Sequence, residues 1–176
     1  MNRAAITGTA GSVFQTVVVL HFAYTATPFC YFIVGEIMRA MVFPPEPGGF
    51  VNLGSPTIWV LRGIFAATGA IGLVLSYTAF TDAATVPRVL KRKTEVDDGT
   101  IAAALQTAHI LRLAYVEAIA IYGLMLFVFD GHRYDLYGFG IVALLNLIAL
   151  RPSRDKWEET YRRAAPEYPG VSTVPW

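Results

Sequence analysis

Residues 13–35 have the sequence Val13-Phe-Gln-Thr-Val-Val-Val-Leu-His-Phe-Ala-Tyr-Thr-Ala-Thr-Pro-Phe-Cys-Tyr-Phe-Ile-Val-Gly35, which contains no charged side chain. They belong to a longer uncharged stretch between Arg3 and Glu36. A helix needs about 20 apolar residues to cross the hydrocarbon core of a bilayer. The stretch therefore predicts a membrane-spanning helix. Pro28 in its interior predicts a kink, because proline removes one helical hydrogen bond.

Three further runs without charge occupy residues 63–81, 118–129 and 136–150. The first is long enough to span a bilayer, and the other two become long enough when they extend into flanking residues. Hydrophobic residues make up 55% of the chain and charged residues only 15%, whereas soluble domains carry about 25% charged residues. The sequence therefore predicts an all-α integral membrane protein, a four-helix bundle that forms a single membrane domain over residues 1–176.

The predicted transmembrane helices cover about residues 13–35, 59–80, 100–129 and 136–150. A short amphipathic helix is predicted over about residues 153–164, where Trp157 and Tyr161 share a face suited to the membrane interface. Prolines and glycines crowd residues 40–58 and predict an irregular loop between the first two helices. The tail after residue 165 is expected to be extended or disordered.

Lysine and arginine concentrate in two segments of the chain. The segment between helices 2 and 3 contains Arg88, Lys91, Arg92 and Lys93, and the C-terminal segment contains Arg151, Arg154, Lys156, Arg162 and Arg163. Cytoplasmic segments of membrane proteins carry the excess of these residues. Both termini are therefore expected in the cytoplasm, and the chain is interpreted as a protein of the bacterial inner membrane. Its net charge of +1 argues against a nucleic-acid partner.

An internal repeat relates helix 1 to helix 3. Phe14-Gln-Thr-Val-Val-Val-Leu-His-Phe-Ala-Tyr24 aligns without gaps on Leu105-Gln-Thr-Ala-His-Ile-Leu-Arg-Leu-Ala-Tyr115. Extending the alignment until Tyr31 matches Tyr122 gives six identities in eighteen positions. The repeat predicts two helical hairpins, formed by helices 1 and 2 and by helices 3 and 4.

Glu117 lies inside the apolar run Ala114-Tyr-Val-Glu-Ala-Ile-Ala-Ile-Tyr-Gly-Leu-Met125. A charged side chain near a bilayer centre costs roughly 2.5–3.5 kcal/mol on insertion scales, so an acid retained there is protonated, paired or used. Two alternatives stay open. Glu117 either binds and releases a proton, or it stays protonated and joins two helices through a hydrogen bond.

Small residues predict where helices approach one another closely. They surround Glu117 in helix 3 and form a second stripe in helix 2. The predicted packing positions are Ala66, Gly69, Ala70, Gly72, Ala114, Ala118 and Gly123.

His21 in helix 1 is interpreted mainly as a helix–helix hydrogen-bonding residue, with a haem or pigment ligand as the alternative. No second histidine is expected at its depth, since His109 lies near a helix start and His132 in a loop. The sequence therefore predicts no metal site, and it assigns no cofactor. Cys30 is the only cysteine and cannot form an intrachain disulfide. No nucleophile lies beside a plausible base, so an enzyme is not expected.

The stretch from Arg112 to Phe129 resembles the carboxylate helix of the proteolipid (c or K) subunits of rotary ATP synthases and ATPases. In that family the helix carries Glu-Ala followed by Ile-Tyr-Gly-Leu, as at Glu117-Ala118 and Ile121-Tyr-Gly-Leu124. The resemblance implies that Glu117 is the ion carrier and that Tyr122 lies next to its site. It also implies a double hairpin with one acid-bearing half.

Two functions follow as hypotheses. The first is a proteolipid-like membrane subunit that translocates protons through Glu117. The second is a non-catalytic accessory subunit of a larger respiratory or photosynthetic membrane complex, docked through small-residue helix faces and the proline- and glycine-rich loop. In both cases the expected partners are the lipid bilayer and other membrane subunits or copies of the same chain.

Overall fold

The computed structural model describes residues 9–41, 55–91 and 96–164. Within these ranges the chain forms six helices and no strand, which confirms the all-α prediction there. The helices are α1 (Thr9–Met41), α2 (Ser55–Thr78), α3 (Asp82–Leu90), α4 (Asp98–Asp130), α5 (Arg133–Ala149) and α6 (Arg154–Ala164). The predicted loop at residues 42–54, the basic pair Arg92 and Lys93 and the predicted tail after residue 165 lie outside the described residues.

Three of the six helices, α1, α2 and α4, are long and apolar enough to cross a membrane. A fourth span results if α5 and α6 are counted together as one broken span. In the most apolar windows of α1 and α2 only 17% of the residues are buried, against 39% in α4. The large apolar side chains of α1 and α2 therefore face outward, as expected for contact with lipid or with other membrane proteins.

Helix α3 is absent from the sequence prediction, which treated this segment as a polar connection. Thr85, Val86 and Leu90 are its buried residues, and Asp82 and Arg88 complement the helix dipole at its two ends. Helix α1 also continues beyond the predicted end at residue 35. The prediction stopped at the first charge, but Glu36 pairs with Arg39 one turn later at 2.7 Å, so both charges are accommodated on the helix.

The described residues divide into two compact units. The first unit comprises the described parts of Met1–Phe22, Leu75–Arg112 and Arg151–Trp176. Its core contains Val17 from α1, Leu105 from α4 and Trp157 and Tyr161 from α6, all at most 2% exposed. The ring of Trp157 meets that of Phe14 edge-on at 5.2 Å. Helix α6 is therefore anchored through its aromatic face, while its charged face points outward.

Helix α4 begins at a defined cap in the first unit. The Asp97 carboxylate accepts hydrogen bonds from the Thr100 backbone N–H at 2.7 Å and from the Thr100 hydroxyl at 2.5 Å. These bonds hold the pKa of Asp97 below its ordinary value. They satisfy a backbone donor that the first turn of a helix otherwise leaves unpaired.

The second unit comprises the described parts of Ala23–Val74 and Leu113–Leu150. Its core is formed mainly by α4 and α5, through buried residues such as Val116, Ala120, Ala143 and Leu147. Gly123 of α4 lies close against α5, since a Cβ atom placed there would lie 2.7 Å from Phe139 Cβ. This unit contains Glu117 and Tyr31, whose geometry is described next.

Candidate functional site

The Glu117 carboxyl group on α4 is contacted by a tyrosine from α1. The Tyr31 hydroxyl donates a hydrogen bond to Glu117 Oε1 over 3.2 Å. Both side chains are half-buried and lie within helices that are apolar enough to span a membrane. The carboxyl group thus has a specific polar partner in surroundings that are otherwise apolar.

The surroundings of Glu117 are small and uncharged on its own helix. Ala114 and Ile121, on the same side of α4, are exposed, and Ala118 is half-buried. Among the described residues, no salt bridge includes Glu117. The Tyr31 hydroxyl is therefore the polar partner of this carboxyl group, and no cation lies within salt-bridge distance of it among the described residues.

Tyr31, rather than Tyr122, is the aromatic partner of Glu117. Tyr122 instead stacks on Phe65 of α2, with ring centroids 4.9 Å apart and planes 14° from parallel. Five residues separate Glu117 from Tyr122, which places them about 140° apart around a helix. The repeat alignment, which matches Tyr31 with Tyr122, was the available signal for Tyr31, although it gave no reason to place it at the acid.

The small residues predicted as packing positions have different surroundings. Gly69 and Gly72 of α2 are buried and face α4, where Cβ atoms added to them would lie 3.4 Å from Ile119 and Tyr115, respectively. Gly123 packs on α5 as described above. Ala66, Ala70 and Ala114 are exposed instead.

Ala66 and Ala70 line an open groove of about 440 Å³ in the second unit. The groove is lined by parts of α2, α4 and α5: Ala66, Gly69, Ala70, Leu73, Ile119, Tyr134, Asp135, Gly138, Phe139 and Val142. Ala66, Gly69 and Ala70 on its α2 wall are small and leave room for a further chain to approach the α2 backbone. Asp135 supplies a carboxylate at this otherwise mainly apolar surface.

An ion-pair network at the α4–α5 connection was not anticipated from the sequence. Arg62 of α2 lies 2.8 Å from Asp130 at the end of α4 and 2.7 Å from Asp135 in the first turn of α5. Asp130 also lies 2.8 Å from His132. Nothing in the sequence indicates that Asp130 and Asp135, which come 68 and 73 positions after Arg62, face it in the structure.

His21 and His109 lie side by side in the first unit, so the expectation that no second histidine shares the depth of His21 is wrong. Their ring centroids are 5.6 Å apart, and the side chains are only 5% and 3% exposed. His21 lies 12 residues after the first residue of α1, and His109 lies 11 residues after the first residue of α4. The error came from regarding His109 as close to a helix start, although even in the predicted helices the two histidines stand eight and nine residues after the first residue.

The structure also describes the surroundings of Cys30 and bears on possible metal-binding groups. Cys30 is an exposed free thiol on α1. Among the described residues, no group of three or more His, Cys, Asp or Glu side chains is arranged to hold a metal ion.

Comparisons of the chain with protein-family models, with curated proteins and with solved structures found no match. The function of the chain is therefore inferred from the geometry of the site.

Proposed function

We propose that this protein is a proteolipid-like integral membrane subunit in which Glu117 binds and releases a proton, without covalent catalysis. The observation that carries the proposal is the hydrogen bond from Tyr31 to Glu117 inside two apolar helices. An ionisable residue within a membrane span is by default a candidate for a functional site. The Tyr31 hydroxyl gives the carboxyl group a fixed hydrogen-bonding partner, and no ion pair with a described residue holds Glu117 permanently in a salt bridge.

The position of Glu117 on α4 also supports this role. Its half-buried carboxyl group lies beside the exposed residues Ala114 and Ile121, so a second subunit or a lipid-soluble reagent can approach it. The small size of Ala114 allows another helix to come close. Such a surface suits proton exchange with a neighbouring subunit.

We further propose two helical hairpins related by the internal repeat, with both termini in the cytoplasm of a bacterial cell. The equal length of α1 and α4, 33 residues each, supports the repeat. The basic residues in the segment before α4 and in the segment after α5 support the orientation, because positive charge is retained on the cytoplasmic side. Attaching a membrane-impermeant label to single cysteines at positions 91 and 132 in intact cells would test it.

Labelling with dicyclohexylcarbodiimide tests the proton-binding role, since this lipid-soluble reagent modifies protonated carboxyl groups. In membranes at about pH 8, where exposed carboxyl groups are ionised, we expect one modified residue per chain, identified as Glu117 by mass spectrometry. The Glu117→Gln variant should lose the label. Glu36→Gln is the matched control, because Glu36 also lies in a candidate membrane-spanning helix, α1, but pairs with Arg39, and it should leave the labelling unchanged.

Two tyrosine substitutions test whether the contact between Tyr31 and Glu117 affects the labelling rate. Tyr31→Phe removes the hydroxyl that contacts Glu117. The labelling rate of Glu117 should rise severalfold, because the carboxyl oxygen becomes more accessible. Tyr122→Phe keeps the ring that stacks on Phe65 and should leave the rate unchanged. Absence of labelling at Glu117 in intact membranes would contradict the proton-binding role.

A second candidate function, that of a non-catalytic accessory subunit, is favoured by the groove of about 440 Å³ beside Ala66 and Ala70. A helix of a respiratory or photosynthetic partner complex would pack against the small residues of its α2 wall. Ala70→Leu would fill part of the groove and should displace such a partner during purification in mild detergent. Val74→Leu, a change at an exposed α2 position outside the groove-lining residues, is the control and should retain it.

A further inference from the structure

The His21–His109 pair in the first unit has no part in the proposed proton-binding site. The two imidazoles come from α1 and α4, and more than nine-tenths of each side chain is buried. With ring centroids 5.6 Å apart and planes at 44°, the rings are too far apart for tight stacking. They are close enough for a single ion to reach a nitrogen atom of each ring.

An unsatisfied polar atom provides the second observation. His109 Nε2 is fully buried and has no hydrogen-bond partner among the described residues. A buried polar atom without a partner is costly, and a bound water or ion commonly explains it. A metal ion would satisfy this nitrogen, since neutral imidazole is the commonest metal ligand in proteins.

The nearby charges restrict which ion would fit. Arg151 acts electrostatically on His21, and Arg112 acts on His109. The Arg112 guanidinium is oriented by a hydrogen bond from Nε to the Ser76 carbonyl oxygen at 3.1 Å. These two positive charges penalise a divalent ion more than a monovalent one. No carboxylate or thiolate completes a larger ligand set here among the described residues.

We propose that His21 and His109 form a two-histidine binding site for monovalent copper. Cu(I) is a closed-shell ion that accepts as few as two ligands, and imidazole is a suitable donor for copper. With only two protein ligands the site would exchange its ion readily. It therefore suits acquisition or transfer of copper better than a permanent structural role.

The test measures Cu(I) binding to purified protein without a histidine tag, under reducing conditions, in competition with the chromophoric chelator bathocuproine disulfonate. A Cys30→Ser background removes the exposed thiol, which would otherwise bind copper. We expect one Cu(I) per chain. His21→Ala and His109→Ala should each weaken binding at least tenfold, and His132→Ala, which changes an exposed histidine of the second unit, should not.

Two further measurements distinguish copper ligation by the histidines from a packing role. His109→Gln preserves polarity at the site, so a variant that folds with an unchanged elution profile but no longer binds Cu(I) supports ligation rather than a packing role. Copper should also raise the melting temperature of the parent protein, because a ligand bound only to the folded state stabilises it. Copper binding that persists in both histidine variants, or no binding at all, would overturn the site. Preferential binding of Zn(II) through the same two residues would overturn its assignment to a monovalent ion.

Discussion

Arg62 donates hydrogen bonds to both carboxylate oxygens of Asp135. Its Nε atom lies 3.0 Å from Oδ1 and 3.1 Å from Oδ2, and its Nη2 atom lies 2.7 Å from Oδ2. The same Nη2 atom donates to Asp130 at 2.8 Å. One guanidinium therefore ties α2 to the end of α4 and to the start of α5. Multiple hydrogen bonds between a guanidinium and carboxylates are among the strongest polar contacts in proteins.

The Arg62→Ala variant should be less stable by about 2 kcal/mol, because two partly buried carboxylates would lose their common partner. This estimate lies between the small effect of exposed pairs and the larger one of breaking a buried pair. The measurement is unfolding in detergent, followed by tryptophan fluorescence. Arg39→Ala is the matched control, since Arg39 is 51% exposed in its pair with Glu36, and it should change stability by at most about 0.5 kcal/mol. Equal effects of the two substitutions would contradict a special role of Arg62.

Gly123→Ala should destabilise the second unit by about 1–3 kcal/mol, the usual cost of overpacking a core. A Cβ atom at this position would lie 2.7 Å from Phe139 Cβ and 2.9 Å from the backbone oxygen of Asp135. Neither atom can move away without shifting α5. Gly63→Ala is the control, because nothing lies within 4 Å of a Cβ atom there, and it should be neutral or slightly stabilising. Tolerance of alanine at position 123 would show that the two helices are not in close contact there.

Helix content was predictable from the sequence because the apolar runs are long and the charges are segregated. The ends of α1 and α4 were underestimated, since a residue such as Glu36 ends an apolar run without ending the helix when Arg39 lies one turn later. Helix α3 was missed because its basic residues suggested a solvated connection. The spacing of Val86, Val89 and Leu90 was the amphipathic signal available for it.

The contacts between helices were harder to anticipate than the helices themselves. Glu117 stands out in the sequence because an acid is costly in an apolar helix, but nothing in the chain says that Tyr31 faces it. The same holds for Arg62 and Asp135, which are 73 residues apart. The rotation and depth of each helix decide such pairs, and these depend on packing over the whole interface.

Asp82→Asn should make the protein more stable at neutral pH. Burial raises the pKa of Asp82 above its ordinary value, although Arg112 and Lys156 oppose the shift. Asp82 Oδ1 is also buried without a hydrogen-bond partner among the described residues. The folded state therefore binds this proton more tightly than the unfolded state does. Stability falls as the pH rises from the ordinary pKa of an aspartic acid to the raised one, and stays at the lower level above it.

An asparagine at position 82 cannot ionise, so the variant avoids this loss. Its advantage should be present at about pH 8 and should shrink as the pH falls towards the ordinary pKa of an aspartic acid. Thermal unfolding of both proteins across this range measures the difference. Asp155→Asn, at an exposed position of α6, should show no comparable pH-dependent gain. A less stable Asp82→Asn protein at neutral pH would mean that the attraction to Arg112 and Lys156 outweighs the cost of burial.

Trp157→Ala should weaken the packing of α6 against the rest of the first unit. The indole is 2% exposed and packs edge-on against Phe14, and replacing a buried tryptophan with alanine typically costs about 3–5 kcal/mol. Each 1.4 kcal/mol corresponds to a factor of ten in an equilibrium. Trypsin should therefore cleave after Arg154 and Lys156 at least tenfold faster in the folded variant. Trp59→Ala removes a tryptophan that is 65% exposed and should leave this cleavage unchanged. Unaltered cleavage in Trp157→Ala would show that Tyr161 and its hydrogen bond to Asp98 are sufficient to hold the helix in place.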